Sequence, residues 1–250
     1  MRVFLLGGTT EAGDMAIALA AAGINATYSY AGRTAAPRNQ PLPLRTGGFG
    51  GPQGLAACLA DGGYTHLIDA THPFAAGISS NAVAATTTLG LPLIALERPP
   101  WAPTPGDRWT MVPDLAAAVT ALPATPKRIF LAIGRLHLDA FAGAPQHHYL
   151  LRLVDPPACP PPLPQTQTVI SRGPFTAAGD TALMRDHGTD LVVAKNAGGT
   201  GARAKLDAAR ALGLPVILID RPHIPARPTA ACVAEVMAWL HATPPARRGA

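Results

Sequence analysis

The chain has 250 residues, of which 48% are hydrophobic, and a formal net charge of +5 from 20 basic and 15 acidic residues. This length and apolar content predict one or two globular domains with a buried core and exclude an intrinsically disordered chain. No segment is apolar for long enough to span a bilayer, and the first residues do not form a secretion signal. We therefore expect a cytoplasmic protein with no membrane partner.

The basic residues are mostly arginines, which bind phosphates and carboxylates through a planar guanidinium. This composition indicates either a polyanionic ligand or a coding bias of the source genome. Because the basic residues are dispersed and aromatic residues are only 5% of the chain, we expect no nucleic-acid partner. Cys58, Cys159 and Cys232 are far apart in sequence, which favours a reducing compartment, and no ligand spacing such as H-E-x-x-H occurs. We predict no metal.

The N-terminal segment has the pattern of a dinucleotide-binding turn. An apolar run ends at Leu6 and is followed by Gly7, Gly8, Thr9, Thr10 and Glu11, and then by a predicted helix from about Asp14 to Ala22. Glycines let the backbone approach a phosphate, and the N-terminus of a helix stabilises negative charge. The glycines at 7, 8 and 13 depart from G-x-G-x-x-G, so a plain strand–turn–helix without a ligand stays an alternative.

The second predicted strand, Asn25 to Tyr30, is followed by Gly32, Arg33 and Thr34. In NAD-binding units an acidic residue at this point binds the ribose, whereas an arginine binds the 2′-phosphate of NADP. This chain has no acid there, which favours NADPH over NADH. An arginine in a surface turn is the alternative.

A glycine-dense loop, Gly47 to Gly51, precedes the next predicted helix and allows close approach of a flat ligand. The predicted strand His66 to Ala70 then leads into Thr71 and His72. Open α/β sheets bind ligands at the carboxyl ends of such strands. His72 either donates a hydrogen bond to the cofactor or substrate, acts as a proton donor, or is a packing or capping residue.

The alternation of strands and helices then repeats in the second half. Residues 1–98 are predicted to form an N-terminal NADP-binding domain, residues 99–108 a proline-rich linker and residues 109–243 a second domain. Residues 244–250 are predicted to be a disordered tail. A second glycine-rich turn, Lys195 to Gly201, has the composition of an anion-binding nest. The predicted fold class is α/β, with two Rossmann-like domains whose parallel sheets face a central cleft.

Seven segments together, in their order and spacing, resemble the precorrin-6A reductase family of cobalamin biosynthesis, including its cobalt-precorrin branch. The resemblance covers essentially the whole chain, although Ala197 stands where such sequences often have serine. The segments are Leu6-Gly7-Gly8-Thr9-Thr10-Glu11, Ser29-Tyr30-Ala31-Gly32-Arg33, Gly47-Gly48-Phe49-Gly50-Gly51, Asp69-Ala70-Thr71-His72-Pro73-Phe74-Ala75, Glu97-Arg98-Pro99, Arg172-Gly173-Pro174-Phe175 and Lys195-Asn196.

The resemblance implies reduction of one double bond of a contracted tetrapyrrole, precorrin-6A, with hydride from NADPH and a proton from an acid or water. It implies a polycarboxylate substrate and, as a further partner, a neighbouring enzyme of the same pathway. We take His72 as the first proton-donor candidate, with Glu11 and Asp14 as alternatives. The predicted cofactor-binding residues are Gly7, Gly8, Thr9, Thr10, Glu11, Gly32, Arg33, Thr34, Gly47 and Thr71. The predicted substrate-binding residues are Arg98, Arg172, Lys195, Asn196, Gly198, Gly199 and Arg221.

Two other functions are compatible with the same residues. One is an NADPH reductase of another anionic conjugated substrate. The other is a nucleotide-binding protein that keeps the glycine turn and has no catalytic activity.

Overall fold

The structure is a computed structural model that describes residues 1–30, 39–157 and 159–244. The chain divides into two compact units. The first consists of Met1–Pro99 together with the chain from His223 onward, and the second is Pro100–Pro222. Within the described ranges, no helix has the length and apolar character needed to cross a membrane.

The described residues form strands and helices that alternate along most of the chain. In chain order these elements are β1 (Arg2–Leu6), α1 (Thr10–Ala21), β2 (Asn25–Tyr30), β3 (Leu44–Thr46), α2 (Pro52–Asp61), β4 (His66–Asp69), α3 (Ala76–Leu89), β5 (Leu93–Leu96), β6 (Trp109–Val112), α4 (Leu115–Thr120), β7 (Arg128–Ala132), a 3₁₀ helix (Arg135–Phe141), β8 (His148–Leu153), β9 (Thr166–Ile170), α5 (Ala177–His187), β10 (Leu191–Lys195), α6 (Ala204–Ala211), β11 (Val216–Ile219), β12 (Thr229–Ala230) and α7 (Val233–Ala242).

The first unit is a parallel sheet with strand order β3-β2-β1-β4-β5-β12. Its central strands are apolar on both faces because helices cover both sides. One core contains Val3 and Leu5 with Met15 of α1 and Val236 of α7. The core on the other face contains Phe4 with residues of α2 and α3.

The second unit has the corresponding order, β9-β8-β7-β10-β11-β6, and its strand pairs are also parallel. In each unit the strand that begins the βαβ series, β1 or β7, is central in the sheet. The edge strand next to β5 or β11 does not follow its neighbour in the chain. The first unit takes that edge strand from the C-terminal end of the chain, and the second takes it from β6. The predicted fold class, α/β with two Rossmann-like parallel sheets, is confirmed.

The predicted end of the second domain at residue 243 is wrong, because β12 and α7 belong to the first unit. The Ala95 amide donates to the Pro228 carbonyl, and the Glu97 amide donates to the Ala230 carbonyl. Val236 and Leu240 of α7 are buried in the core of the first sheet. An edge strand has the same local pattern in either sheet, so its partner is decided by long-range pairing.

The proline-rich segment 99–108 has no helix or strand, but its prediction as a linker is wrong, because the chain from Pro100 onward belongs to the second unit. Trp101 is 7% exposed and packs in the core of the second unit with Phe130, Leu150 and Val192. The predicted tail, residues 244–250, lies outside the described residues apart from Pro244.

Candidate functional site

The turn between β1 and α1 requires glycine at two positions for different reasons. A Cβ atom on Gly7 would overlap the ring of Tyr28. Gly8 has a φ of +124°, a backbone conformation that residues other than glycine rarely adopt. Gly7 is therefore required by the Tyr28 ring that packs against it, and Gly8 is required by the positive φ at which the chain changes direction.

Tyr28 of β2 supports this turn from below. Its hydroxyl oxygen accepts a hydrogen bond from the Gly8 amide at 2.8 Å. The side chain is buried, and burial raises the pKa of its hydroxyl well above the ordinary range. The hydroxyl therefore stays protonated, and its oxygen serves as a neutral acceptor for the turn. Sequence reasoning missed Tyr28, because its contact with the glycines depends on the pairing of β1 with β2.

Thr9 caps α1 and joins the turn to β4. Its Oγ1 accepts from the Ala12 amide at 3.1 Å and donates to the Ala70 carbonyl at 2.9 Å. The helix begins at Thr10, earlier than the predicted Asp14, because this cap organises its first turn. The N-terminus of α1 thus lies beside the carboxyl end of β4, with the positive end of its dipole at the turn.

Glu11, in the first turn of α1, forms an ion pair with the guanidinium of Arg98, which follows β5. The structure therefore brings together a predicted cofactor residue and a predicted substrate residue. Both belong to the first unit. Arg98 offsets the negative charge of Glu11 in the first turn of α1, which favours the binding of an anion there.

The turn lies where the order of strands reverses. The chain continues from β1 to β2 and β3 on one side, and then to β4 and β5 on the other. The carboxyl ends of β1 and β4 are neighbours, and such a reversal is where open α/β sheets bind their ligands. Gly7, Gly8, Thr9, Thr10 and Thr71 all lie at this point.

The turn after β4 is organised by Asp69. Its Oδ1 accepts from the Thr71 amide at 3.1 Å and from the Thr71 hydroxyl at 2.7 Å. The Thr71 and Ser79 hydroxyls are also within hydrogen-bond distance, at 3.2 Å. Asp69 is almost completely buried. These three contacts, two to Asp69 and one to Ser79, fix the orientation of Thr71.

His72 is half-buried and follows this organised turn. Its Nδ1 accepts a hydrogen bond from the Phe74 amide at 3.1 Å. A neutral imidazole that accepts at Nδ1 carries its proton on Nε2. The local geometry therefore selects the tautomer in which Nε2 is the donor.

The glycine-dense loop is held by Arg45 of β3. Its guanidinium donates to the carbonyls of Gly47 at 2.6 Å and Gly48 at 2.9 Å, and it lies over the Phe49 ring at 3.9 Å. Phe49 packs in turn against Phe4. Gly47 thus belongs to an ordered loop whose shape depends on an arginine that sequence reasoning did not select.

The predicted 2′-phosphate residues Gly32, Arg33 and Thr34 lie outside the described residues. Tyr30 is the end of β2 and pairs with Thr46 of β3.

In the second unit, the turn after β10 is built around Trp101. The Trp101 amide donates to Asn196 Oδ1 at 2.7 Å, and Asn196 Nδ2 donates to the Trp101 carbonyl at 3.1 Å. The indole Nε1 donates to the Gly199 carbonyl at 2.6 Å. Asn196 is buried, so its side chain holds the turn in shape.

Arg221 completes this turn. Its Nε donates to the Asn196 carbonyl at 3.1 Å, and its Nη2 donates to the Ala197 carbonyl at 3.2 Å. Gly198 and Gly199 have φ values of +70° and +69°. Consecutive left-handed residues turn the chain sharply after Lys195, the last residue of β10.

Arg172 is exposed and forms an ion pair with Asp155. Phe175, in the same motif, packs its ring against the guanidinium of Arg152 at 3.7 Å. Arg152 is buried in an ion pair with Asp180 at the start of α5. The motif is thus anchored through Phe175, while Arg172 projects toward solvent.

The sequence and the fold of this chain have close counterparts among known proteins. The family described as "Precorrin-6x reductase CbiJ/CobK" matches residues 2–241 of the chain. The chain belongs to the precorrin-6x reductase family.

Individual members are similar over nearly their whole length. The precorrin-6A reductase of Rhodobacter capsulatus is 62% identical over 239 residues, which is 96% of this chain and 95% of that protein. The precorrin-6A reductase of Rhodococcus erythropolis is 48% identical over 241 residues, with 96% and 97% covered. The cobalt-precorrin-6A reductase of Priestia megaterium is 30% identical over 233 residues, with 89% and 91% covered.

A solved structure of this family has the same fold. It is titled "CobK precorrin-6A reductase", is 60% identical to this chain and has a TM-score of 0.95, with 100% of both chains covered. The resemblance proposed from the sequence is therefore confirmed. The precorrin-6x reductase fold holds the glycine turn, the Thr71–His72 turn and the Glu11–Arg98 pair in one unit.

Proposed function

We propose that this chain reduces one double bond of the precorrin-6A macrocycle to give the dihydro product, precorrin-6B, with NADPH as the reductant. The observation that carries this proposal is the glycine turn capped by Thr9 at the strand reversal of the first sheet, in a member of the precorrin-6x reductase family. NADPH supplies the hydride when it is bound.

The residues of the first unit fit a dinucleotide. Gly8 has no side chain and faces open space, so the backbone of the turn is open to a pyrophosphate on that side, and α1 stabilises negative charge there. The neighbouring cofactor contacts in this proposal are Thr9, Thr10, Glu11, Gly47 and Thr71. Gly32, Arg33 and Thr34 follow β2 and are proposed to bind the 2′-phosphate.

His72 is the proposed proton donor. Its Nδ1 is an acceptor for the Phe74 amide, so the neutral ring donates from Nε2. The side chain follows Thr71, which Asp69 holds in place. A fixed orientation is what general acid catalysis requires of a donor.

A contracted tetrapyrrole with acetate and propionate arms is a polyanion, and the chain offers cations to bind it. In the second unit we propose Arg172 and Lys195, with Asn196, Gly198, Gly199 and Arg221 forming the turn beside Lys195. In the first unit we propose Arg98. Arginines matter here because a guanidinium binds a carboxylate through two parallel hydrogen bonds.

The experiment is a reduction assay with purified protein, NADPH and precorrin-6A. We expect loss of nicotinamide absorbance together with a shift in the absorption spectrum of the pigment. Cofactor binding without turnover of any tetrapyrrole would instead support a nucleotide-binding protein. Turnover of other conjugated anions but not of precorrin-6A would support a different reductase.

Cofactor choice is tested with Arg33→Ala. A charged hydrogen bond to the 2′-phosphate contributes about 1–3 kcal/mol, so this variant should bind NADPH about 5- to 150-fold more weakly and NADH almost unchanged. Titration of both cofactors by nicotinamide fluorescence measures this. An equal loss for the two cofactors rejects the role of Arg33.

The metal content of the substrate is a further part of the proposal. The relatives named precorrin-6A reductase quoted above are 62% and 48% identical, whereas the relative named cobalt-precorrin-6A reductase is 30% identical. We propose the cobalt-free macrocycle as the substrate. Steady-state rates with both macrocycles test this, and a higher kcat/KM with the cobalt form rejects it.

A further inference from the structure

Arg227, which precedes β12, places its guanidinium at the carboxyl ends of β4 and β5. Its Nη2 donates to Glu97 Oε2 at 2.9 Å, and its Nε lies 3.9 Å from Asp69 Oδ2. The Arg227 side chain is 9% exposed and that of Asp69 is 2% exposed. One buried cation thus lies between two carboxylates from neighbouring strands.

Of the two carboxylates, Asp69 is the more deeply buried, with a side-chain exposure of 2% against 20% for Glu97. Its Oδ1 accepts both hydrogen bonds from Thr71. Its Oδ2 is buried without a hydrogen-bond partner, and so is Arg227 Nε. The carboxylate of Asp69 is therefore compensated at Oδ2 by the charge of Arg227, at a distance longer than a hydrogen bond.

We propose that Arg227 is a positioning residue for the turn that carries Thr71 and His72, and that it acts through Asp69. This inference rests on the proposed function, in which that turn serves the cofactor and the proton transfer. Without the guanidinium of Arg227, no positive charge from this residue offsets the negative charges of Asp69 and Glu97. Asp69 then moves toward solvent and releases the Thr71 amide and hydroxyl.

The position of Arg227 in the chain strengthens this interpretation. The arginine is in the returning C-terminal segment, whose Pro228 and Ala230 carbonyls accept hydrogen bonds from Ala95 and Glu97. The segment that forms the edge strand β12 therefore also places the Arg227 guanidinium beside Asp69 and Glu97. An edge strand needed only for the sheet would not require a buried arginine beside two carboxylates.

The test is a double-substitution cycle of Arg227→Met and Asp69→Asn. Methionine removes the charge and keeps a long side chain, and asparagine keeps an Oδ1 acceptor for Thr71 without a charge. We expect Arg227→Met to lower kcat about 10- to 100-fold, the size of loss that a displaced catalytic group produces, while the dissociation constant for NADPH changes less than about threefold. Arg227→Lys, which keeps the charge, should recover part of the rate.

The double variant Asp69→Asn/Arg227→Met should recover to within about threefold of Asp69→Asn alone, because no uncompensated carboxylate is left at position 69. A double variant whose loss equals the product of the two single losses overturns the proposal. Arg210→Met is the matched control, since Arg210 also forms an ion pair with a buried aspartate, Asp107, in the second unit. Its kcat should stay within about twofold of the parent chain.

Hydrogen exchange of the peptide covering residues 69–75 gives a readout independent of activity. In Arg227→Met its amides should exchange faster, and in the double variant they should return to the parent rate. If the parent chain does not reduce precorrin-6A, the proposed function fails while this measurement still decides the role of Arg227. Unchanged exchange in Arg227→Met overturns the inference, and if that variant does not fold, Arg227→Lys and the double variant carry the same comparison.

Discussion

The two units share a sheet plan but differ in the first turn after the central strand. In the first unit, β1 leads through Gly7 and Gly8 into the 12-residue helix α1, which Thr9 caps. In the second unit, β7 leads through Gly134 into a short 3₁₀ helix, Arg135–Phe141, with no side-chain cap. A strand order shared by two sheets therefore does not make them equivalent as binding sites.

The difference has an electrostatic reason. A long capped α-helix presents aligned amide dipoles and an open glycine backbone at the strand reversal. A single 3₁₀ segment has fewer aligned peptides and poorer hydrogen-bond geometry. For this reason our proposal for the cofactor has the pyrophosphate bind in the first unit.

The turns on the other side of the reversal differ as well. After β4, Asp69 holds Thr71 and precedes His72, whose ring is half-buried. After β10, Asn196 is buried and uses both ends of its amide to hold Trp101. The turn after β4 thus carries a titratable side chain, His72. In the turn after β10, the side chain of Asn196 forms its hydrogen bonds with the backbone of Trp101.

The largest expected effects come from substituting these two turns. His72→Ala should slow the chemical step about 100-fold or more, as loss of a general acid does, with NADPH affinity and unfolding free energy almost unchanged. Asn196→Ala should lower the free energy of unfolding by about 2–3 kcal/mol, because it leaves the Trp101 amide and carbonyl buried without partners. Single-turnover kinetics and urea unfolding separate the two effects, and an unchanged single-turnover rate in His72→Ala removes it from the mechanism.

The next effect concerns the glycine turn. Gly7→Ala places a methyl group in the space of the Tyr28 ring, so we expect a loss of about 1–3 kcal/mol in unfolding free energy and weaker NADPH binding. Gly143→Ala is the matched control in the second unit, because a Cβ there meets no atom within 4 Å. Thermal unfolding and cofactor titration measure both variants. Equal results for Gly7→Ala and Gly143→Ala would contradict the role given to Tyr28.

A smaller effect distinguishes capping from cofactor binding. Thr9 and Thr176 both cap helices through their hydroxyls, Thr9 in the first unit and Thr176 in the second. Each alanine substitution should cost about 1 kcal/mol of stability, but only Thr9→Ala should weaken NADPH. If Thr176→Ala weakens NADPH equally, the assignment of the pyrophosphate to the first unit is wrong.

The smallest expected effect is the response to acid. Burial lowers the pKa of His66 in the first unit and of His147 and His187 in the second, and the charge of Arg128 lowers the pKa of His187 further. Below pH 6.5 the unfolded chain binds protons that these folded sites do not, so stability is present above pH 6.5 and falls as the pH decreases.

His187→Gln tests this response, because it removes one of the lowered groups. The loss of stability between pH 7.5 and pH 6 should then be smaller than in the parent chain, by less than about 1 kcal/mol. Urea unfolding at the two pH values measures it. An identical loss in the variant and the parent chain would mean that His187 does not bind a proton on unfolding.

Much of the fold was predictable because the signals are local. Runs of apolar residues bounded by glycine and proline predicted the central strands. The sequence Gly7-Gly8-Thr9 predicted a turn between the first strand and the first helix. The order and spacing of these segments also predicted the family, which the comparisons confirm. The carboxyl end of β4 was predicted as a ligand-binding position for the same reason.

Other features depend on contacts between distant residues. Tyr28 lies beside Gly7 because β2 pairs with β1, and Trp101 packs in the core of the second unit, where Asn196 binds its backbone. The edge strand β12 was assigned to the wrong unit, since two residues of strand carry no pattern that selects a sheet. Arg227 reaches Asp69 through that same pairing.

The sequence by itself determined the alternation of elements, the glycine turn and the family, because each depends on residue types at short spacing. Only the tertiary structure decided which sheet the last strand completes, which side chains support the turns and which cation lies beside Asp69. The physical reason is that backbone pairing and buried charge are properties of neighbours in space, and residues far apart in the sequence become neighbours only when the sheet of their unit has formed.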